Sequence, residues 1–284
     1  MKGKIMLTLC ATPIGNLSDI TIRSLDILKA ADLILCEDTR VTIKLLNHYN
    51  ITTKLESYHE HNKFAKTTAI IERLQSGQNI ALVTDAGTPG ISDPGEDLVK
   101  ACIDAGIEVT STPGPVAFIV ALILSGKSTR RFIFEGFLPT NKKEKLAILQ
   151  SLANESRTII LYESPHRIEK TLNSILDILG NRNITLAKEL TKKFETLIHT
   201  TIIDAISMFQ AMIPRGEFVL IIQGKDIDLI RQEQIQNWQQ ISIIEHMDIY
   251  LKQGLAEKFA MKKVAIDRGI SKRDIYNQIK ILDK

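Results

Sequence analysis

The chain has 284 residues, of which 44% are hydrophobic and 24% charged, and its formal net charge is +3. This is the composition of an ordinary soluble globular protein that is long enough for two compact domains. No apolar stretch reaches the length of a membrane span, and the apolar segment near the N-terminus is too short for a signal peptide, so the sequence predicts a cytoplasmic protein. The modest positive charge allows an acidic or nucleic-acid partner without requiring one.

The first half of the chain alternates strand-like and helix-like segments. The predicted strands are residues 5–11, 33–36, 54–57, 80–84 and 108–111, and the predicted helices are residues 20–28, 42–49, 63–75, 96–104 and 116–124. Alternating strands and helices joined by short loops rich in Gly and Pro favour a mostly parallel sheet covered by helices.

The loop at residues 85–95 is unusually dense in Gly and Pro. It follows the fourth predicted strand and holds three glycines and two prolines. Glycine permits positive φ and close approach of a ligand to the main chain, whereas proline stiffens the rest of the loop. In an open α/β sheet the ligand crevice lies at the carboxyl ends of the strands. We therefore predict a ligand site lined by backbone here, rather than a plain connection between a strand and a helix.

The second half begins a new set of elements at about residue 128. Helices are predicted at 140–152 and 168–179, and strands at 158–162, 184–187 and 218–222, with more antiparallel pairing than in the first half. The sequence thus predicts an α/β protein with domains at 1–127 and 128–225 and a helical tail at 226–284.

The tail is polar and basic. Segments 255–267 and 271–282 resemble a helix-turn-helix, and residues 252–284 contain nine Lys or Arg residues against four Asp or Glu residues. A solvated helical hairpin and an RNA-binding element both fit this pattern.

The three cysteines, Cys10, Cys36 and Cys102, stand far apart within apolar runs. There is no CxxC pair, and the alternating His59 and His61 lack a third ligand at metal-binding spacing. The sequence therefore predicts buried, reduced thiols and no metal site.

Eight motifs occur in an order that closely resembles one family. They are Ala11–Leu17, Glu37–Arg40, Ser57–Asn62, Asp85–Gly95, Pro113–Pro115, Phe134–Pro139, Tyr162–Arg167 and Glu189–Lys192. Together they resemble the ribosomal RNA small-subunit methyltransferase I family, within the tetrapyrrole-methylase fold class. The resemblance covers roughly residues 5–225 and is looser in the tail.

The resemblance implies two α/β domains with the cofactor cleft between them, S-adenosylmethionine (AdoMet) as methyl donor, and a homodimer. It also implies methylation of a cytidine ribose 2′-hydroxyl in small-subunit ribosomal RNA. Tetrapyrrole enzymes of this fold class open with a GxGxG loop, whereas this chain has Ala11-Thr12-Pro13-Ile14-Gly15. That departure favours RNA over a porphyrin-like substrate. A small-molecule tetrapyrrole methylase and a non-catalytic ribosomal RNA-binding protein remain the alternatives.

The predicted cofactor residues come from the loop and from the resemblance. The loop contributes Asp85, Ala86, Gly87, Thr88, Ile91 and Ser92, and the resemblance adds Pro13, Pro115, Val116, Ala117, Tyr162, Ala187, Glu217 and Phe218.

Transfer to a ribose hydroxyl also needs a group that accepts the hydroxyl proton. The candidate catalytic residues are Glu37, Asp38, Arg40 and Glu60, with Glu163 and Lys188 next. An alternative for Asp38 is that it caps the helix that follows it.

The candidate RNA-binding residues are Arg23, Arg130, Arg131, Lys142, Lys143, Arg167 and Lys188. Residues 130, 131, 142, 143 and 145 are expected to form one basic cluster. Arg23, Arg40 and Arg167 could hold phosphates bidentately. Each of them taken alone better fits a surface ion pair, and their clustering at strand ends is what favours RNA.

Overall fold

The computed structural model describes residues 6–212 and 214–282, with side chains described up to residue 279. Residue 5, where the first predicted strand begins, lies outside this part. The second of two compact units is formed by Ser151–Ser156 and the chain from Gly224 onward, and the first unit by the rest. Within the described ranges, no helix has the length and apolar character needed to cross a membrane.

The first sheet is entirely parallel, with strand order β3-β2-β4-β1-β5. Its strands are β1 (Met6–Cys10), β2 (Leu33–Cys36), β3 (Leu55–Ser57), β4 (Ile80–Leu82) and β5 (Glu108–Thr112). Its helices are α1 (Ile22–Ala30), α2 (Thr39–His48), α3 (Lys63–Gln75) and α4 (Gly95–Asp104). Leu33 and Leu35 of β2 pack on one face of the sheet, and Ile34 and Cys36 on the other. Burial on both faces explains why the strands of a parallel sheet read as continuous apolar runs.

The second sheet is mixed, with order β6-β7-β10-β8-β9, and only the β6–β7 pair is parallel. Its strands are β6 (Phe132–Phe137), β7 (Thr158–Glu163), β8 (Asn183–Lys188), β9 (Thr196–Thr201) and β10 (Phe218–Ile222), and its helices are α6 (Lys142–Ser151), α7 (Ile168–Leu179) and α8 (Ile202–Ala211). The predicted antiparallel character is confirmed, but β6, β9 and α8 were not predicted.

Helix α5 (Ala117–Leu124) connects the two sheets. It follows β5, yet its Ala121 and Leu122 pack against Ile160, Ala187 and Ile221 of the second sheet. This burial explains the apolar residues on the side of α5 that faces the second sheet, and it holds the N-terminus of the helix between the two sheets.

Up to residue 282, the second unit contains four helices, α9 (Ile227–Gln239), α10 (Ile243–Lys252), α11 (Glu257–Asp267) and α12 (Lys272–Leu282). The two predicted tail helices are confirmed with slightly different ends. They share a core with α10, which was not predicted, through Met247, Val264 and Ile275. The division of the chain into domains at 127/128 and 225/226 stays a prediction.

Candidate active site

A cleft of about 590 Å³ opens at the carboxyl ends of the first-sheet strands. Strands β2 and β4 are hydrogen-bonded neighbours, so Glu37 and Asp85, which follow them, come to the same edge as expected for a parallel sheet. The cleft is lined by Ile14, Glu37, Thr84, Asp85, Ala86, Gly87, Thr88, Ile91, Ser92, Asp93, Val116, Ala117, Phe137, Tyr162, Ala187, Lys188, Glu189, Leu190, Lys192, Gly216, Glu217, Phe218 and Val219.

The loop after β4 forms the floor of the cleft in a tightly fixed conformation. Gly87 and Gly90 have φ of 89° and 84°, and Ser92, which is not a glycine, has φ of 62°. The Asp93 carboxylate accepts hydrogen bonds from the backbone N–H groups of Gly90 and of Gly95, the latter at 2.7 Å. A carboxylate that holds two backbone amides keeps the loop in one shape, as the density of Gly and Pro predicted.

A second loop, residues 189–192 after β8, closes the opposite side. Glu189 and Thr191 have φ of 53° and 63°. The N–H of Asn16 donates to Thr191 Oγ1 at 3.0 Å, and a Cβ on Gly15 would lie 2.6 Å from Lys192 Cγ. Gly15 therefore lets the loop after β1 touch the loop after β8.

Three of the four non-glycine residues with positive φ among the described residues, Ser92, Glu189 and Thr191, lie in these two loops. Each such conformation costs about 1–3 kcal/mol, and such residues cluster at functional sites. The chain thus tolerates backbone strain where the two halves of the cleft meet.

Aromatic rings form the wall between the loops. The Tyr162 hydroxyl accepts a hydrogen bond from the Phe118 N–H near the start of α5, at 3.3 Å. The Tyr162 ring lies 5.0 Å from that of Phe134 and 5.4 Å from that of Phe137. Burial, followed by the charge of Glu217, raises the pKa of Tyr162 to about 12, so its hydroxyl stays protonated at neutral pH.

Three carboxylates at the first-sheet side share this space. Loss of hydration, followed by the charges of Asp85 and Asp93, raises the pKa of Glu37 although its side chain opens onto the cleft. Loss of hydration also raises the pKa values of Asp85 and Asp93. Across the described residues, the Glu37 carboxylate receives one hydrogen bond, a long one of 3.5 Å from Thr84 Oγ1. Of these three carboxylates Glu37 is the most weakly hydrogen-bonded, since Asp85 accepts from the Asp38 N–H at 3.0 Å and Asp93 holds two backbone amides.

Asp38 and Arg40 satisfy each other. Helix α2 begins at Thr39 rather than at the predicted Thr42, and Asp38 is its N-cap, with its carboxylate accepting from the Arg40 N–H. The Arg40 guanidinium also binds this carboxylate at 2.7 Å. These hydrogen bonds lower the pKa of Asp38 to about 2. The capping alternative thus describes the geometry, and neither side chain lines the cleft.

The remaining candidate acids also lie outside the cleft wall. Glu60 forms an ion pair with Lys63 at 2.8 Å, and Lys63 binds Asp97 as well. Glu163 is fully buried and accepts hydrogen bonds from Thr171 Oγ1 at 2.6 Å and from the Ser164 N–H. Both carboxylates are occupied by structural partners.

Twelve of the fourteen predicted cofactor residues line the cleft, and Pro13 and Pro115 do not. The Pro115 carbonyl accepts a hydrogen bond from Thr88 Oγ1, so it supports the loop from behind. The wall residues Ile14, Thr84, Asp93, Phe137, Glu189, Leu190, Lys192, Gly216 and Val219 were not predicted. Most stand in or beside motifs that the sequence already marked, such as Glu189–Lys192.

The predicted basic residues occupy several positions in the fold. Lys188 lines the cleft, whereas Arg130 and Arg131 precede β6 and Lys142 and Lys143 follow it. The expected single cluster of residues 130, 131, 142, 143 and 145 stays a prediction.

The two other predicted RNA-binding arginines hold main-chain carbonyls. Arg23 donates to Ser111 O, and Arg167 donates to Leu138 O.

The predicted cysteine state is confirmed, since Cys10, Cys36 and Cys102 are free and buried. In the part of the chain that the structure describes, no group of three or more His, Cys, Asp or Glu side chains is placed to hold a metal ion.

Comparison with known proteins assigns the fold. A model of the tetrapyrrole (corrin/porphyrin) methylases matches residues 6–206. The structure resembles that of cobalt precorrin-4 methyltransferase, a cobalamin biosynthetic enzyme, with a TM-score of 0.58 and 19% identity, covering 76% of this chain and 94% of that one. The fold and its cleft therefore define a methylase of the tetrapyrrole type.

Two curated relatives match nearly the whole chain, and both are named ribosomal RNA small subunit methyltransferase I. The Halalkalibacterium halodurans protein is 47% identical over 276 residues, covering 97% of this chain and 94% of the relative. The Bacillus subtilis protein is 46% identical over 272 residues, covering 96% and 93%. The chain belongs to the ribosomal RNA small subunit methyltransferase I family and is a methyltransferase. The predicted family, fold class and enzyme class are confirmed.

Proposed function

We propose that this methyltransferase uses AdoMet to methylate the ribose 2′-hydroxyl of a cytidine in small-subunit ribosomal RNA. The observation that carries the proposal is the cleft in which a fixed loop, rich in main-chain groups and carrying Asp85 and Asp93, lies with Glu37 opposite an aromatic wall. The name shared by the full-length relatives supports RNA as the methyl acceptor.

The residues of the cleft fit AdoMet. The cleft volume of about 590 Å³ lies within the range of about 300–1,000 Å³ that small-molecule sites occupy. Asp85, Asp93 and Glu217 match the positive sulfonium and ammonium groups, and the apolar walls at Ala117 and Phe218 suit the adenine. Bound there, AdoMet would supply an electrophilic methyl carbon.

We propose that Glu37 accepts the proton of the ribose hydroxyl. It is the one member of the four catalytic candidates that lines the cleft, and its raised pKa brings its basicity closer to the working pH. A positioned general base typically contributes about 10²–10⁴-fold to the rate. Asp38 and Arg40 would then hold the start of α2, and with it Glu37, in place.

We propose that Lys188 binds a phosphate next to the methyl acceptor. Its side chain lines the cleft, and no ion-pair partner for it occurs among the described residues. A flexible ammonium at the edge of the cleft can neutralise a phosphate without fixing the base sequence.

We further propose that the protein is a cytoplasmic homodimer with domains at 1–127, 128–225 and 226–284. Ile119, Ile123 and Leu124 leave an exposed apolar face on α5 that a second copy could cover. Analytical ultracentrifugation of wild type and Ile123→Glu tests the dimer. A monomeric wild type would contradict it.

One assay tests the proposed reaction against its alternatives. The protein is incubated with methyl-labelled AdoMet and with small ribosomal subunits, free small-subunit RNA or a porphyrinogen, and labelled nucleosides are separated. We expect label in 2′-O-methylcytidine. Label in the porphyrinogen would favour the small-molecule methylase, and RNA binding without label would favour a non-catalytic protein.

A further inference from the structure

The β8–β9 loop carries an aromatic side chain with no packing role. The Phe194 side chain is 73% exposed, and the loop runs as Lys192-Lys193-Phe194. A single exposed apolar residue is common on protein surfaces and by itself indicates nothing. The surroundings of Phe194 distinguish it from an ordinary surface residue.

The loop is held rigid by its own hydrogen bonds. The Thr191 N–H donates to Glu195 Oε2 at 2.7 Å, and the Glu195 N–H donates to Lys192 O at 3.1 Å. Thr196 Oγ1 donates to Phe194 O at 3.0 Å. The loop therefore presents the Phe194 ring from a fixed base rather than on a loose tip.

The same loop forms part of the cleft wall. Glu189, Leu190 and Lys192 line the cleft, so the chain leaves the wall only two residues before Phe194. The Lys193 ammonium lies 5.6 Å from the centre of the Phe194 ring, which places positive charge beside the aromatic surface. An exposed ring beside a lysine ammonium suits single-stranded RNA, because bases stack on aromatic faces while lysines neutralise the backbone.

We infer that Phe194 is a stacking platform for an unpaired base of the RNA next to the methylated nucleotide. This inference rests on the proposed function. Lys193 contacts the phosphate backbone beside that base, and Glu189 and Thr191, at positive φ, fix the turn by which the chain leaves the cleft wall before Phe194.

The chain supplies a matched control in Phe64. Phe64 is 83% exposed, and Lys63 Nζ lies 5.2 Å from its ring centre, so it matches Phe194 in its exposed ring and neighbouring lysine. It differs in that Lys63 is paired with Glu60 and Asp97. It stands in the first turn of α3 and does not line the cleft. A general effect of removing an exposed ring would appear equally in both alanine variants.

The test measures binding of a fluorescent, unstructured RNA of about 12 nucleotides with a central cytidine, in the presence of S-adenosylhomocysteine. Phe194→Ala should weaken binding by about 5- to 150-fold, since stacking on one aromatic residue has that value. Phe194→Tyr should restore binding, Phe194→Leu should not, and Phe64→Ala should match wild type. AdoMet affinity and melting temperature should be unchanged in all four.

The salt dependence of RNA affinity distinguishes the contribution of the Phe194 ring from that of the Lys193 charge. Phe194→Ala should shift affinity equally at all salt concentrations, whereas Lys193→Ala should reduce the slope of log K against log[salt] by about 0.7. The stacking role would be overturned if Phe194→Ala or Phe194→Leu bound the RNA with wild-type affinity. A change in sedimentation with unchanged RNA affinity would assign the ring to a protein contact and also overturn it.

Methyl transfer to small-subunit RNA by wild type is measured alongside. Wild type that binds RNA without methylating it would contradict the proposed function and leave the platform standing if Phe194→Ala binds more weakly. Wild type that methylates, with Phe194→Ala unaffected, would contradict the platform alone. Wild type that does not bind RNA would contradict both.

Discussion

The cleft and the helical unit both place titratable side chains among apolar residues, but the hydrogen bonding of these side chains differs between the two regions. In the helical unit, the fully buried His246 ring stacks on Trp238 at 3.8 Å, and its Nδ1 accepts a hydrogen bond from Arg268 Nε. Arg268 also donates to Ile241 O and Ser242 O. In the cleft, Glu37 has one long hydrogen bond and two like charges beside it.

This difference indicates which groups stabilise the fold and which are free to react. The hydrogen bonds from Arg268 to His246 Nδ1 and to two main-chain carbonyls contribute to stability, although His246 Nε2 has no hydrogen-bond partner among the described residues. A carboxylate with a raised pKa in a cleft instead costs stability and is available for chemistry. Substitutions in the two regions should therefore have opposite effects on activity and on unfolding.

The largest expected effect is that of Glu37→Gln on methyl transfer. Turnover on small ribosomal subunits should fall by about 10²-fold or more, because the amide cannot accept the hydroxyl proton. AdoMet affinity should be unchanged. The raised pKa means that ionised Glu37 opposes folding above its folded-state pKa, so the melting temperature at neutral pH should stay or rise.

The pH profile of turnover is a second test of Glu37 as the general base. Activity should increase with pH through its raised pKa, since only the carboxylate accepts a proton. Asp38→Ala serves as the comparison, because it removes a helix cap and should lower the melting temperature more than turnover. Wild-type turnover by Glu37→Gln would place the base elsewhere.

Gly87→Val should weaken AdoMet binding with a smaller effect on the fold. A side chain at φ of 89° is strained, and its Cβ would lie 3.2 Å from Ile14 Cγ2 and 3.3 Å from Pro115 O. The strain costs about 1–3 kcal/mol, and calorimetry should show weaker binding of AdoMet.

The control for Gly87 is Gly77→Val. Gly77 has φ of 101°, and a Cβ there would meet no atom within 4 Å. It should therefore lose comparable stability and keep AdoMet affinity. Equal affinity in both variants would show that the loop after β4 does not bind the cofactor.

The sequence predicted the floor of the cleft because that part follows from local rules. The order of apolar runs and polar ends placed Glu37 and Asp85 at neighbouring strand ends, and the Gly and Pro content of residues 85–95 marked the fixed loop. The wall at Glu189 and Lys192 depends on two residues at positive φ and on contact with Gly15. Neither the positive φ values nor this contact follows from hydrophobic periodicity. Only the family motif Glu189–Lys192 indicated that this segment belongs to the site.

The elements that were missed lack the signals that sequence rules detect. Strand β9 runs into α8 at Thr201 and Ile202 with no Gly or Pro between them, and its residues are only partly buried. Helix α9 buries none of its residues, so it has no apolar stripe at helical spacing. The early start of α2 depended on the side chain of Asp38, whose two alternatives the sequence left open.

Arg268→Met should destabilise the helical unit and leave the chemistry intact. It removes the donor to His246 Nδ1 and to two main-chain carbonyls, and a buried acceptor without a donor costs about 1–3 kcal/mol. Trp238 is the only tryptophan of the chain and lies in this unit, so its fluorescence in urea reports the loss. AdoMet affinity should equal that of wild type, and a drop would contradict the division of roles.

The exposed basic residues of α12 should affect RNA binding modestly. Deleting residues 252–284 would remove α11 and α12 and strip Met247 of its core partners, so substitutions are a cleaner test. Lys272→Ala with Arg273→Ala should lower the slope of log K against log[salt] by about 0.7 for each phosphate that these side chains neutralise in wild type. Lys29→Ala with Lys44→Ala removes the same charge from α1 and α2. Equal slopes in both double variants would leave the tail as a structural hairpin.

The smallest expected effect is the pH dependence of the helical unit through His246. A neutral ring with its proton on Nε2 accepts from Arg268 at Nδ1 and lies 3.3 Å from Asp267 Oδ2, whereas a second proton on Nδ1 would face the Arg268 guanidinium. Burial and Arg268 lower the pKa of His246, with Asp267 opposing them, and Tyr250, whose pKa is raised to about 12, stays protonated. Because the unfolded chain binds this proton more readily, the stabilisation is present above the ordinary histidine pKa and is lost as pH falls below it. Urea unfolding followed by Trp238 fluorescence should show a lower midpoint on the acid side of that pKa. His246→Gln keeps an acceptor for Arg268 but does not titrate, so its midpoint should change less with pH over this interval. An identical pH dependence in the two proteins would assign the effect to another group.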